Sequence, residues 1–178
     1  TKPVQDWTPP APTSAETAAG MMAYVAPDPG EYRSYRLPKP TERVDRLQAF
    51  LTPGEDEAVT FGLYTLADVK GLTVAVDLKG APLTVDIRHE HCWPQRTGWR
   101  SRQWYLTPEL LLPCANGKKT VPFERGVLQE TDFDVAAGQS QGIWLTLTAP
   151  ESAKPGRYTG VVSVSSSGKP ALQLPLAF

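Results

Sequence analysis

Three stretches concentrate the side chains able to do chemistry. The first, "GEDE", brings Glu55, Asp56 and Glu57 together. Glycoside hydrolysis needs two carboxylates about 5–9 Å apart. Neighbours on a loop or strand point in alternating directions, and this cluster directly precedes an alternating run, so it reads as a solvated acidic turn. The second, "RHEHC", sets His89 and His91 on one strand face and Cys92 on the other, with Cys114 farther on. Zinc takes four N or S ligands, usually in paired spacings such as C-x₂-C, and here one close pair has no second. A hydrogen-bonded or exposed His pair is the better reading, and no metal site is expected. No G-x-S-x-G elbow occurs, and both His residues sit in one short run, so no nucleophilic triad is signalled. The expectation is of no catalytic residue and no cofactor.

The third stretch is "CWPQRTGWRSRQWY", with Trp93, Trp99 and Trp104 among Arg96, Arg100 and Arg102. Aromatic faces beside planar donors suit sugar rings, a protein interface, or Arg–Trp stacking. The plainest reading puts Trp104 and Tyr105 in the core and the rest in a long, locally packed loop. Two others remain open: a domain–domain contact, and a glycan site with Trp93, Trp99, Trp104 and Arg100 as its ligand-binding residues.

Whatever these residues do, the elements that hold them are strands. "EAVTFGLY" alternates Val59, Phe61 and Leu63 against Thr60, Gly62 and Tyr64. "LTVAVDL", "LTVDIRH", "GIWLTLT", "RYTGVVSVS" and "ALQLPLAF" repeat the period of two, separated by Gly, Pro and Asp. Such alternation predicts half-buried antiparallel strands, and Pro175 places the last of them at an edge or bulge. "EYRSYRL" is a weaker strand candidate. Helical signals are few: "PTERVDRLQAFL" spaces Val44, Leu47 and Leu51 helically after Thr41, and "TLADVKGL" has room for one turn ended by Gly71. The expected fold is an all-β antiparallel β-sandwich, immunoglobulin- or jelly-roll-like, with at most short helices.

Residues 1–30 are rich in Pro, Ala and Thr and read as an arm or linker ahead of a sandwich domain over residues 31–178. Within the arm, "AAGMMAYV" is the exception, a short helix or a strand laid on the domain. The chain opens at Thr1 without Met and reads as an excised fragment. Its 178 residues suit one domain plus an arm. A net charge of −1, from 18 basic and 19 acidic residues, gives no electrostatic case for nucleic acid or an anionic membrane. No apolar run is long enough to span a bilayer.

"GQSQGIWLTLTAPESAKPGRYTGVVSV" is the most strongly patterned stretch. Pro150 ends one strand, Pro155-Gly156 predicts a type II turn with Gly at positive φ, and Tyr158 opens the next strand with a hydroxyl in need of a backbone partner. This stretch resembles the signature of the β-sandwich found N-terminal to the barrel in bacterial glycoside hydrolases of family 123 (β-N-acetylgalactosaminidases) and barrel-bearing relatives of unknown function. "TPGEDEAVTFGLYTLADVKGLTVAVDLKG" and "WYLTPELLLP" resemble two further family motifs, in the same order. The resemblance implies a non-catalytic accessory domain that packs against a following catalytic barrel of the same polypeptide. The barrel's acids are absent here, and such a barrel needs about 250 residues. It also implies a secreted, periplasmic or cell-surface parent. A freestanding carbohydrate-binding module and a cell-surface protein-interaction domain are the alternatives. In an oxidising compartment Cys92 and Cys114 either form a disulfide worth about 3 kcal/mol or remain two separate buried thiols.

Overall fold

A computed structural model describes residues 5–96, 98–100 and 102–178. In chain order the elements are α1 (Ser14–Ala19), β1 (Met21–Tyr24), β2 (Leu47–Gln48), β3 (Asp56–Thr65), β4 (Thr73–Asp77) and β5 (Thr84–Arg96). They continue with β6 (Trp104–Ala115), β7 (Lys118–Pro122), β8 (Leu128–Asp132), β9 (Ser140–Thr148), β10 (Thr159–Ser166) and β11 (Lys169–Ala177). One sheet has seven strands in the order β1-β3-β9-β5-β6-β7-β8, and the other has four, β2-β11-β10-β4. All pairings are antiparallel except the short one of β2 with β11.

The period-two runs do what their chemistry dictates. Val59, Phe61 and Leu63 of β3 and Ile143, Leu145 and Leu147 of β9 point inward. They meet Val74, Val162, Val164, Leu172, Leu174 and Leu176 of the smaller sheet, and removal of this apolar area from water is the main force joining the layers. The layers are unequal. Between Val74 and Phe133 no described hydrophobic side chain is fully buried, although Val85, Ile87 and Cys114 pack on the core's margin. The β6–β8 end of the wide sheet therefore extends past its partner layer.

Several expectations change. The segment around Val44, Leu47 and Leu51 is not a helix. Its backbone groups bond outward instead, Val44 N–H to Ala23 O (3.1 Å) and Ala49 N–H to Ala177 O (3.0 Å), so it crosses extended from β1 to β11. "TLADVKGL" likewise makes no helical turn; Val69 pairs with Val135. "EYRSYRL" is not a strand. Pro175 sits in β11 opposite Val161, and β2 reaches only Leu176 and Ala177, so the proline's missing donor falls on an effectively free edge. Gly156 does not adopt the left-handed conformation a type II turn needs. Tyr158 does find its partner: the hydroxyl donates to Lys154 O at 2.9 Å and the ring stacks on Phe178 at 5.9 Å.

Within residues 1–30, Thr13 and Glu16 form a capping box on α1, and Gly20 closes it at φ 73°. All four β1 residues are buried, because both faces of this edge strand are covered. Met21 and Ala23 join the main core, while Tyr24 joins Ala26 and Tyr32 in a second cluster on the outer face. Residues 26–37 thus form a strap over that face. It is pinned by Arg36, whose guanidinium donates to both Glu42 carboxylate oxygens (2.7 and 2.8 Å) and to Glu31 (2.7 Å), and lies 5.3 Å from the Tyr24 ring centre. Glu42 and Arg36 are both buried, so removing one charge strands the other. Glu42→Ala is expected to cost about 3–5 kcal/mol in urea unfolding, whereas Glu31→Ala, on the half-exposed arm of the same cluster, costs under about 1 kcal/mol.

Candidate functional site

The Trp-rich run is a long β-hairpin, β5 and β6, rather than a loop. Trp104 and Tyr105 are 54% and 39% exposed, so the expectation that they belong to the core is overturned. Register explains why. Trp93 pairs with Thr107, Gln95 with Tyr105 and Arg96 with Trp104. Strand parity then places Trp93 and Tyr105 on one face and Trp104 on the other. The indoles do not form one platform. Trp93 donates through Nε1 to Glu109 Oε2 at 2.6 Å. Arg96 lies 4.6 Å from the Trp104 ring centre, and Arg100 lies 5.9 Å from that of Trp99, which is 86% exposed at the tip. Two of the three rings already carry a guanidinium. Farther along the wide sheet Leu106, Phe123, Val127 and Leu128 are also exposed.

"RHEHC" lies where the wide sheet divides. The β5–β9 ladder ends at the pair His89–Ile143. Beyond it the strands part: Gln141 reaches across with Nε2 to Glu90 O (2.8 Å), and Ser140 N–H turns to Ser34 O of the strap (2.9 Å). His89 faces inward and donates from Nε2 to Thr120 O at 2.7 Å, its ring 5.4 Å from Phe133. Burial pushes its pKa down to about 4. Glu90 faces outward against Tyr32 and Gly142, where even a Cβ on residue 142 would sit 2.7 Å from Glu90 Oε2. Among the described residues no cation offsets the burial of Glu90, which raises its pKa to about 8. Sequence reasoning weighed the two His residues and missed Glu90, since a Glu between two His residues reads locally as an exposed strand residue. Among the described residues no group of three metal-ligating side chains forms.

"GEDE" is a capped, exposed turn: Glu55 accepts from Thr52 N–H at 2.8 Å and Asp56 accepts from Thr148 Oγ1 at 2.5 Å. Cys92 and Cys114 are separate thiols. Cys92 approaches Tyr32 O at 3.7 Å, while Cys114 approaches Ile87 O at 4.0 Å, five positions back along β5. That separation is roughly 16 Å, far beyond disulfide reach.

Two outcomes follow. An unfolded Glu90 ionises near its ordinary value of 4.5 and the folded one only near 8, so its contribution to stability is lost as pH rises between these values. His89 acts oppositely, its contribution being lost as pH falls from 6.5 towards about 4. Glu90→Gln is therefore expected to raise the melting temperature above pH 8 and leave it near wild type at pH 5, as read by circular dichroism. Thiol titration of unreduced, unfolded protein is expected to find both cysteines free. In the folded state Cys114 should alkylate slowly, since burial raises its pKa to about 11.

No curated protein matches this sequence. Among solved structures, the chain is similar to a family 123 glycoside hydrolase from Clostridium perfringens, described for glycolipid glycan hydrolysis. The likeness has a TM-score of 0.52 at 12% identity and covers 89% of this chain and 26% of that one. The chain thus spans about a quarter of that enzyme's length, and the likeness is one of fold. A PapD-like domain of human CEP192 aligns over 99% of this chain and 92% of that one at 13% identity, with a TM-score of 0.36, too loose to bear on the fold. Two of the three sequence motifs fall largely or wholly in one segment, which runs from β6 into β10: residues 106–166 match the family model of the glycoside hydrolase 123 N-terminal domain.

Proposed function

We propose that this sandwich is a non-catalytic accessory domain of an exported glycoside-hydrolase-like protein, docked through its β6–β8 end against a catalytic barrel of the same polypeptide. The observation that carries this reading is the overhang. Of the ten large hydrophobic side chains exposed among the described residues, eight lie between Trp93 and Leu128. Exposed apolar side chains gathered at one end of a domain are characteristic of a contact region. The family match supports the barrel as the partner. A freestanding glycan-binding module with Trp93, Trp99, Trp104 and Arg100 as its platform is less well supported, because Trp93 and Trp104 face opposite ways and two rings are covered by arginines.

The test is binding in trans. The coding sequence beyond Phe178 is read, the barrel it encodes is purified, and its affinity for this chain is measured by calorimetry. Binding is expected, and the Trp104→Ala/Leu128→Ala pair is expected to weaken it at least about tenfold, while Phe50→Ala, on the opposite part of the sandwich, leaves it unchanged. A stop codon in place of a barrel, or an affinity indifferent to the first pair, overturns the reading.

A further inference from the structure

Of the two ends of the wide sheet, one is closed and one is open. At the β1 end Val25 N–H donates to Glu42 O at 2.8 Å and Val44 N–H to Ala23 O at 3.1 Å, so residues 42–44 cover that edge. At the other end β8 pairs with β7 alone. Which of its backbone groups face outward follows from the ladder. In an antiparallel pair, residues that exchange hydrogen bonds alternate with residues whose N–H and C=O point away. Phe123 N–H donates to Val127 O at 2.6 Å and Phe133 N–H to Gly117 O at 2.8 Å, and both lie in the register that joins Lys118 to Asp132. Val127, Gln129, Thr131 and Phe133 therefore turn their backbone toward β7, while Leu128, Glu130 and Asp132 turn theirs to the open edge. Beside Asp132 the chain from β3 to β4 closes in, Leu72 N–H donating to Phe133 O at 2.8 Å. Leu128 and Glu130 remain, each with its N–H and C=O on an edge that no described strand pairs.

Such a row is a template for one more strand, and proteins commonly blunt it with a lysine, a proline or a bulge. In β8 the residues are Leu128, Gln129, Glu130, Thr131 and Asp132, and their register with β7 runs without a shift. Its guard is negative charge. Leu128, Glu130 and Asp132 share one face. Asp132 is held by Lys118 Nζ, whereas Glu130 lies opposite Thr120 and forms no ion pair among the described residues. This charge turns away a second copy of β8. Antiparallel pairing centred on the strand sets Glu130 against Glu130, and like charges directly opposite are destabilising. A basic residue in that place is favoured for the same reason.

We propose that the open edge of β8 receives an extended segment of the barrel, a strand with Lys or Arg opposite Glu130 and an apolar residue opposite Leu128. This deepens, and rests on, the reading of the β6–β8 end as the barrel's docking face. Backbone hydrogen bonds supply the attachment, and the side chains of Leu128 and Glu130 select the sequence.

The experiment uses the barrel encoded beyond Phe178, with amide exchange read residue by residue for this chain alone and in the complex. The amides of Leu128 and Glu130 are expected to slow at least about tenfold, and those of Gln129 and Thr131, already bonded to β7, to slow less. Docking by side chains alone produces no such alternation. In calorimetry Glu130→Pro, which removes a donor from the open edge and spares the β7 ladder, is expected to weaken binding about tenfold. Glu130→Lys is expected to weaken it by a similar factor, and Gln129→Ala, on the other face, to leave it unchanged. Barrel binding indifferent to both Glu130 variants, or protection without alternation, overturns the added strand and leaves side-chain docking standing. No barrel binding at all overturns both.

Discussion

The structure depends on one mismatch: a seven-stranded sheet faces a four-stranded one. A sheet face is stable only where its apolar residues are covered. The smaller sheet covers β3, β9 and the start of β5, and the main core lies there. Every further strand of the wide sheet must find another cover or stay exposed. On the outer face the strap of residues 26–37 supplies cover over β1, β3 and β9, its Ala26 and Tyr32 packing with Tyr24 of β1 and the Arg36–Glu42 pair serving as its anchor. At the β6–β8 end no described residue supplies cover, and exposed aromatic and aliphatic side chains result.

The same mismatch leaves a half-open pocket of about 200 Å³ where β5 parts from β9. Strand β9 is claimed on one edge by β3 along its length, and on the other first by β5 and then, past Ile143, by the strap. Where the second edge changes partner, backbone pairing lapses and side chains must stand in, as Gln141 does for Glu90 O. Polar groups drawn into such a gap lose water without gaining regular ladder bonds, which is why His89 and Glu90 both titrate far from their ordinary values. The displaced pKa values of His89 and Glu90 and the pocket share one origin in the parting of β5 from β9.

The strands were legible in the sequence because each core strand has one wet and one dry face, as in "EAVTFGLY" and "GIWLTLT". What was illegible has physical reasons. "MMAY" shows no alternation because both its faces are buried, one by the core and one by the strap. Val44, Leu47 and Leu51 have helical spacing, but that spacing does not show where backbone donors go, and tertiary partners on β1 and β11 decided the matter. The composition of the hairpin was legible and its register was not. A change of one residue would have put Trp93 and Trp104 on the same face, and register is set by pairing across the hairpin. Glu90 and Lys119 lie 29 positions apart and come to line one pocket only through the fold of β5, β6 and β7, so no local spacing announces it.

Amide hydrogen exchange, compared between this chain alone and the same residues within the proposed barrel-bearing polypeptide, tests most directly whether the overhanging strands are a docking face. The account predicts that amides of Trp104–Ala115 and Leu128–Asp132 exchange at least about tenfold more slowly in the parent, with β10 and β11 unchanged. Equal exchange rates over β6 and β8 in the two forms would contradict it.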